Sequence, residues 1–257
     1  MSNKNINEFN KESQERIAKR IAHLGYCSRR DAEKLIAAKK VKVNGILIET
    51  PATLVSVNDK ITIDDVPLAA SNQTRLFLYY KPNGLVCSHK DEKGRETIFD
   101  YLPAELPRLI YVGRLDLTSE GLLLLTNNGE LANLLSAPKL GLKRTYKVRV
   151  YGKITQKQLD ELALGISIDG IYYQPIIANI LRRKGDNIWL EFVLKEGKNR
   201  EIRIICEYLG LQVNRLIRTS FASFTIDGLN EGDLVEVGLS SLSRILPKED
   251  FHKLGIN

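Results

Sequence analysis

Arg114 and Asp116 stand two residues apart in the run Gly113-Arg114-Leu115-Asp116-Leu117-Thr118-Ser119-Glu120-Gly121, between two apolar segments and flanked by two glycines. This is a setting in which a loop exposes a reactive side chain. A carboxylate held there can attack an electrophilic carbon, take up a proton or stabilise developing positive charge. On spacing alone, Asp116 reads first as a turn or cap residue, so its chemistry depends on what surrounds it. Two other stretches could supply partners. In Asn199–Leu209, residues Ile202, Ile205, Cys206 and Leu209 recur on the apolar side of a helix, which leaves Arg200, Arg203 and Glu207 on the polar side. Arg203 can pair with its own Glu207 or with a carboxylate from elsewhere. Tyr146 alternates with Val148 and Val150, so its ring belongs to an apolar strand face, where core packing is the simpler reading.

Charge bears on what such a site would act upon. The 257 residues carry 38 Lys+Arg against 31 Asp+Glu, a net charge of +7 that favours a polyanionic partner. The excess is clustered. Glu15–Ile46 holds nine basic and three acidic residues, Lys139–Lys153 six basic and none acidic, and Lys195–Arg218 six basic and three acidic. The spacings Gly-x-x-x-x-Gly-Lys-Ser/Thr and Gly-x-Gly-x-x-Gly are both absent, which removes the usual grounds for a nucleotide cofactor. Cys27, Cys87 and Cys206 are widely separated, as are His23, His89 and His252, so neither a disulfide framework nor a clustered metal site is expected. Apolar runs such as Leu122–Leu125 fall far short of the roughly 20 residues of a membrane span. Residues 1–14 are polar and Asn-rich, without the apolar core of a signal peptide. They read as a disordered N-terminus of a cytoplasmic protein.

The elements that must carry these residues fall into two groups. Ile17, Ile21 and Leu24 recur at helical spacing with Arg16, Lys19 and Arg20 on the other side, and Gly25 supplies a stop. Ser28 and Asp31 resemble a capping box for a second helix with Ala32, Leu35 and Ile36 facing inward. Arg29 and Arg30 then lie in its first turn, where cations oppose the helix dipole and an anion such as phosphate would suit both them and the free N–H groups. Val41–Ile46, with Lys42, reads as a strand entering an Asn44-Gly45 hairpin, and Lys60–Ile63 as another strand. The first unit is thus placed at residues 15–66, a linker at 67–74, a second unit at 75–245 and a C-terminal tail at 246–257. In the second unit, strands are expected at 76–81, 109–112, 122–126, 145–151, 176–181, 188–194 and 221–226. Helices are expected at 129–135, 155–164 and 199–209. So many strands with so few helices suggest an α+β fold with a mixed, largely antiparallel sheet.

The run Gly113–Gly129 closely resembles the signature of bacterial ribosomal RNA pseudouridine synthases, in the branch that joins the A type of the small ribosomal subunit with the B type of the large one, most nearly the latter. Lys81-Pro82-Asn83-Gly84 resembles the family's opening strand and turn, and Thr97–Pro103 the segment before its reactive loop. Lys143–Val148 and Leu194–Arg203 resemble its second and third motifs. Residues 15–65 are similar to the S-four-type RNA-binding module that precedes the catalytic domain in this branch. One departure is Ile204, where relatives commonly carry a second arginine.

The resemblance implies conversion of uridine to pseudouridine. The N1–C1′ bond breaks, the uracil turns while bound, and C5 is joined to C1′, with no redox change and no cofactor. It implies Asp116 as the carboxylate near C1′, Tyr146 stacked on the uracil with its hydroxyl near the proton lost from C5, and Arg203 as an ion-pair partner favouring ionised Asp116. The target base must be extruded from folded RNA, and Arg114 is placed to fill the vacated stack or hold the displaced strand; its plainer reading is an ion pair with Asp100 or Glu120. With Arg114, the RNA-binding set comprises Arg16, Lys19, Arg20, Arg29, Arg30, Lys42, Lys195, Asn199, Arg200 and Arg218. The implied partner is ribosomal RNA, 23S before 16S, alone or within a pre-ribosomal particle, met by a monomer. The rival readings are a 16S-specific homologue and a noncatalytic RNA-binding assembly factor. The resemblance of Asp91–Asp100 to the B type favours 23S.

Overall fold

A computed structural model describes residues 14–69 and 73–254, so the expectation of N-terminal disorder lies, except for Gln14, outside the described residues. The chain divides into two compact units, Met1–Gln73 and Thr74–Asn257. In the first, β1 (Glu15–Arg16) leads into α1 (Ile17–His23) and α2 (Arg29–Ala37). Then follow β2 (Val41–Val43), β3 (Ile46–Leu47), β4 (Leu54–Val55), β5 (Ile61–Ile63) and β6 (Val66–Pro67). Ile17, Ile21 and Ile36 from the helices are wholly buried against Val41, Ile61 and Ile63 of the antiparallel sheet β3-β2-β5-β6.

Local chemistry accounts for the turns. Gly25, at φ +79°, ends α1. Ser28 Oγ accepts from Asp31 N at 3.1 Å and donates to the Asp31 carboxylate at 2.7 Å. Asn44 and Gly45, at φ +51° and +84°, make the tight hairpin between β2 and β3. Val66 and Pro67 pair with Ile63 and Thr62, and Leu68 N donates to Ile61 O at 2.9 Å. The start of the expected linker is therefore an edge strand, where proline's missing N–H costs no ladder bond.

The second unit contains β7 (Leu76–Lys81), β8 (Ile110–Val112), β9 (Glu120–Thr126), α3 (Gly129–Ser136) and β10 (Arg144–Tyr151). Next come α4 (Gln156–Asp160), the hairpin β11 (Ile166–Ile168) and β12 (Ile171–Tyr173), β13 (Ile177–Lys184) and β14 (Asn187–Leu194). The last elements are α5 (Glu201–Tyr208), β15 (Gln212–Phe221), β16 (Phe224–Thr225), β17 (Leu234–Val237) and α6 (Lys248–Lys253). Its main sheet runs β13-β14-β10-β15-β9-β7-β17, with β8 also on β9 and β16 on β15. All pairings are antiparallel except β15 with β9, where Ile217 meets Glu120 and Arg218 meets Gly121.

Leu122 and Leu124 face one core, with α3 and Phe221, while Leu123 and Leu125 face the other, with Phe77, Tyr79 and Val148. Burial on both faces explains why β9 is continuously apolar rather than alternating. Among the described residues, no helix is long and apolar enough to cross a membrane.

Two expectations change. The strand expected at 221–226 is instead the end of the long β15, a turn at Ala222 (φ +52°) and the short β16. Arg215 and Arg218 mask the strand pattern of β15, and both bond to β9: Arg215 pairs with Glu120, and Arg218 donates through Nε alone to Leu122 O. The segment expected as a tail carries α6, and Leu246 and Leu254 on either side of that helix are buried in the core.

Candidate active site

Asp116 lies in the loop between β8 and β9, and the backbone of that loop is tied down from several directions. Ser119 N donates to Asp116 O at 3.0 Å, and Gly84 N to Leu117 O at 2.9 Å. Lys81, at the end of β7, is fully buried and its ammonium donates to Pro82 O at 2.9 Å, Leu117 O at 3.4 Å and Ser119 O at 2.8 Å. Burial lowers the Lys81 pKa, although the charges of Cys87, Glu120 and Asp116 act the other way. Lys81 was visible in the sequence only as part of a motif; a lysine closing an apolar strand was the available signal. Gly121 opens the way for β15 beside the loop. At φ +99°, a Cβ there would stand 2.3 Å from Arg218 O, so its role is close backbone approach within β9 rather than loop flexibility.

Asp116 and Tyr146 line one cavity of about 280 Å³, together with Arg114, Arg144, Glu201 and Arg218. Tyr146, in β10, is 8% exposed and faces Arg218 across the β10–β15 ladder. Its ring is thus both part of the apolar core, as alternation with Val148 and Val150 indicates, and a wall of the cavity. Arg203 is placed differently. It lines a second groove with Arg200, Glu207 and Leu211, and its Nη2 donates to Thr118 O at 2.9 Å. The expected direct ion pair with Asp116 is replaced by this tether to the Asp116 loop, while the two charges still attract through space. Burial and the neighbouring Arg200 push the Arg203 guanidinium pKa down.

The other expected contacts sort by exposure. Arg114, Asn199 and Arg200 are exposed and border the cavity; Glu120 pairs with Arg215 and Asp100 with Thr97, so neither is spent on Arg114. Arg200 adopts φ +53° at the start of α5. Lys195 is exposed, and its carbonyl accepts from Arg144 at 2.9 Å. Arg218 is only 2% exposed. It is therefore no surface contact for an RNA backbone, because its place opposite Tyr146 is in the middle of the sheet.

In the N-terminal unit, Lys19, Arg20 and His23 converge on Glu15, at 3.4, 3.7 and 3.0 Å. Although burial acts to raise it, the Glu15 pKa is lowered by His23 and Lys19. Lys42 pairs with Asp65 at 2.6 Å. Arg16, Arg29 and Arg30 are exposed.

Sequence reasoning missed four charged groups of the cavity: Glu196 and Lys198, which pair with each other, and Arg144 and Glu201. Arg144 is 8% exposed and donates to Leu142 O and Lys195 O. Glu201 is 3% exposed, and burial first, then the charge of Glu196, pushes its pKa up to about 7. The signal for Arg144 was its place two residues before Tyr146, on the same strand face.

A half-buried carboxylate on a tethered loop, an aromatic wall and a rim of arginines thus share one cavity on a mixed sheet. Residues 75–208 match the RNA pseudouridylate synthase family, and residues 15–61 match the S4 domain. The chain belongs to the RNA pseudouridylate synthase family, whose reaction is an isomerisation. It is 50% identical over 222 residues to an uncharacterised RNA pseudouridine synthase of Rickettsia conorii, covering 86% of this chain and 96% of the relative. It is 36% identical over 242 residues to the ribosomal large subunit pseudouridine synthase B of Bacillus subtilis, covering 93% and 98%. A crystal structure of a pseudouridylate synthase superposes with a TM-score of 0.65 at 27% identity, covering 90% of this chain and 99% of that one.

Proposed function

We propose that the protein converts a specific uridine of 23S ribosomal RNA to pseudouridine, with Asp116 as the carboxylate acting at C1′. The observation that carries this reading is that Asp116 and Tyr146, from separate parts of the sheet, line the same cavity. Tyr146 supplies a ring on which a flipped base stacks, with its hydroxyl directed to the proton lost from C5. Arg203 acts as a positioning residue through Thr118 O, and Arg114 at the rim holds the strand from which the base is extruded. Arg16, Arg29 and Arg30 are suited to phosphates of a structured RNA, alongside Lys19, Arg20 and Lys42, whose charges are partly engaged by acids.

The 23S target is supported by relatives named large subunit pseudouridine synthase B in Bacillus subtilis and Salmonella typhimurium. The Asp91–Arg95 segment that resembled this type closes on itself, Asp91 accepting from Lys93 N, Arg95 N and the Arg95 guanidinium. The enzyme acts as a cytoplasmic monomer on free RNA or a pre-ribosomal particle. The test offers purified protein 23S, 16S and tRNA transcripts separately, with pseudouridine mapped chemically. Modification is expected in 23S alone and is expected to vanish in Asp116→Asn with RNA affinity retained. Modification confined to 16S would replace the target, and turnover by Asp116→Asn would remove the catalytic assignment.

A further inference from the structure

The floor of the cavity holds two buried arginines whose charge the resting protein leaves unanswered. Arg218 is 2% exposed; its Nε donates to Leu122 O at 2.7 Å, but its Nη2, hidden from solvent, has no hydrogen-bond partner. Arg144 spends Nη1 on two backbone carbonyls. The two guanidinium groups flank one ring, with their Cζ atoms 4.9 Å (Arg144) and 5.6 Å (Arg218) from the Phe221 centroid. Among the described residues, neither has a carboxylate within ion-pair distance. Glu201, the acid whose charge reaches Arg144, is itself held towards its neutral form by burial and Glu196. Like charges stripped of water and lacking a counter-ion are costly, so the arrangement suits an anion that arrives with the substrate.

Depth decides which anion. RNA phosphates stay outside an extruded base, whereas Arg218 is the register partner of Tyr146 in the β10–β15 ladder and lines the same cavity. We propose that Arg218, with Arg144 behind it, is the electrostatic partner of the uracil anion released from C1′. This rests on the proposed stacking on Tyr146. When the N1–C1′ bond breaks, its electron pair stays with the base and the charge spreads over N1, O2 and O4. C5 then bonds to C1′, C5 gives up its proton and N1 gains one, so the balance is that of an isomerisation. The turn that exchanges N1 with C5, about the axis through N3 and C6, also exchanges O2 with O4. A donor fixed at Nη2 therefore faces a carbonyl oxygen before and after the turn, and the base is retained without being locked in one orientation.

The test compares wild type, Arg218→Gln and Arg218→Lys in single-turnover reactions on the 23S RNA segment that holds the target, carrying either uridine or 5-fluorouridine there. Because C5 of 5-fluorouridine has no proton to give up, both substrates are scored by disappearance of the parent nucleoside, which reads N1–C1′ cleavage rather than pseudouridine formation. Arg218→Gln is expected to lose about 10²-fold or more in rate on uridine, the scale of removing one donor to a developing anion. RNA Kd should stay within about 3-fold. On 5-fluorouridine, whose fluorine stabilises the anion unaided, the loss should shrink at least about 10-fold, and Arg218→Lys should recover part of the rate. A weakened Kd with unchanged rate would make Arg218 a phosphate contact. Equal losses on both substrates would make its role structural, and a wild-type rate would end the proposal. If thermal melting shows Arg218→Gln unfolded, Arg218→Lys carries the same substrate comparison, with the same reversal. Asp116→Asn run in parallel separates the readings: its turnover would remove the catalytic assignment itself, whereas its inactivity beside a normal Arg218→Gln removes only this inference.

Discussion

Lys81→Met tests the claim that a buried ammonium holds the Asp116 loop. Methionine keeps the length and apolar volume of the stem but removes every donor. Ser119 O loses its partner in a fully buried setting, at about 1–3 kcal/mol, and Pro82 O loses its in a partly buried one, at about 0.5–1 kcal/mol, whereas Leu117 O keeps the bond from Gly84 N. Removing the cation also removes the desolvation that lowers its pKa, which offsets part of this. The net is about 2 kcal/mol, or a fall in Tm of roughly 4–8 °C for a unit of this size. Activity should fall further than stability, because the untethered loop carries Asp116. Differential scanning calorimetry, with single-turnover assays well below the variant's Tm, reads both. A Tm within about 2 °C of wild type together with full activity would refute the clamp.

Gly121→Ala should cost about 3 kcal/mol or more in urea unfolding, since its Cβ would stand 2.3 Å from Arg218 O at a backbone φ of +99°; a loss below about 1 kcal/mol would contradict the close approach. Glu201 binds its proton more tightly folded than unfolded, with a pKa raised from 4.5 to about 7 by burial and by Glu196. Wild-type stability should therefore decline as pH rises between those values, whereas Glu201→Gln lacks this dependence and gains on wild type from pH 5 to 8; parallel Tm–pH profiles would overturn the shift. A chain starting at Thr74 should bind RNA with a flatter salt dependence, the log–log slope falling by about 0.7–0.9 for each phosphate the missing residues had neutralised. An unchanged slope, read by filter binding across a salt series, would leave Arg16, Arg29 and Arg30 as ordinary surface charges.

What could be read in advance was local. The Ser28 cap, the Asn44-Gly45 hairpin and the helix before Gly210 depend on neighbours within a few positions, and they formed where expected. The resemblance also drew attention to Asp116 and Tyr146, which share a cavity. β15 was not legible, because Arg215 and Arg218 break its apolar alternation and bond instead to β9, with Arg218 and Leu122 96 positions apart. Separation in sequence also hid the Lys81 contacts with Leu117 and Ser119, the tether from Arg203 to Thr118 and the counter-ion deficit around Arg144. Each depends on which backbone carbonyl or charge arrives from elsewhere, which no periodicity records.

The parallel junction of β9 with β15 bears on how the molecule acquires its activity. β13, β14, β10 and β15 join through antiparallel pairings, as do β17, β7, β9 and β8, and among the described residues the two groups share one strand ladder, where Ile217 and Arg218 reach Glu120 and Gly121. Closing that junction requires a long loop to be ordered before its few bonds are made, so it belongs among the late events of folding. Asp116 precedes one side of the junction, and Tyr146 and Arg218 belong to the other. A chain with both groups of strands formed but the junction open would therefore have near-native secondary structure and no cavity. Recovery of activity during refolding should lag behind far-UV ellipticity, and the amides of Glu120–Leu122 should gain protection from hydrogen exchange in step with that recovery.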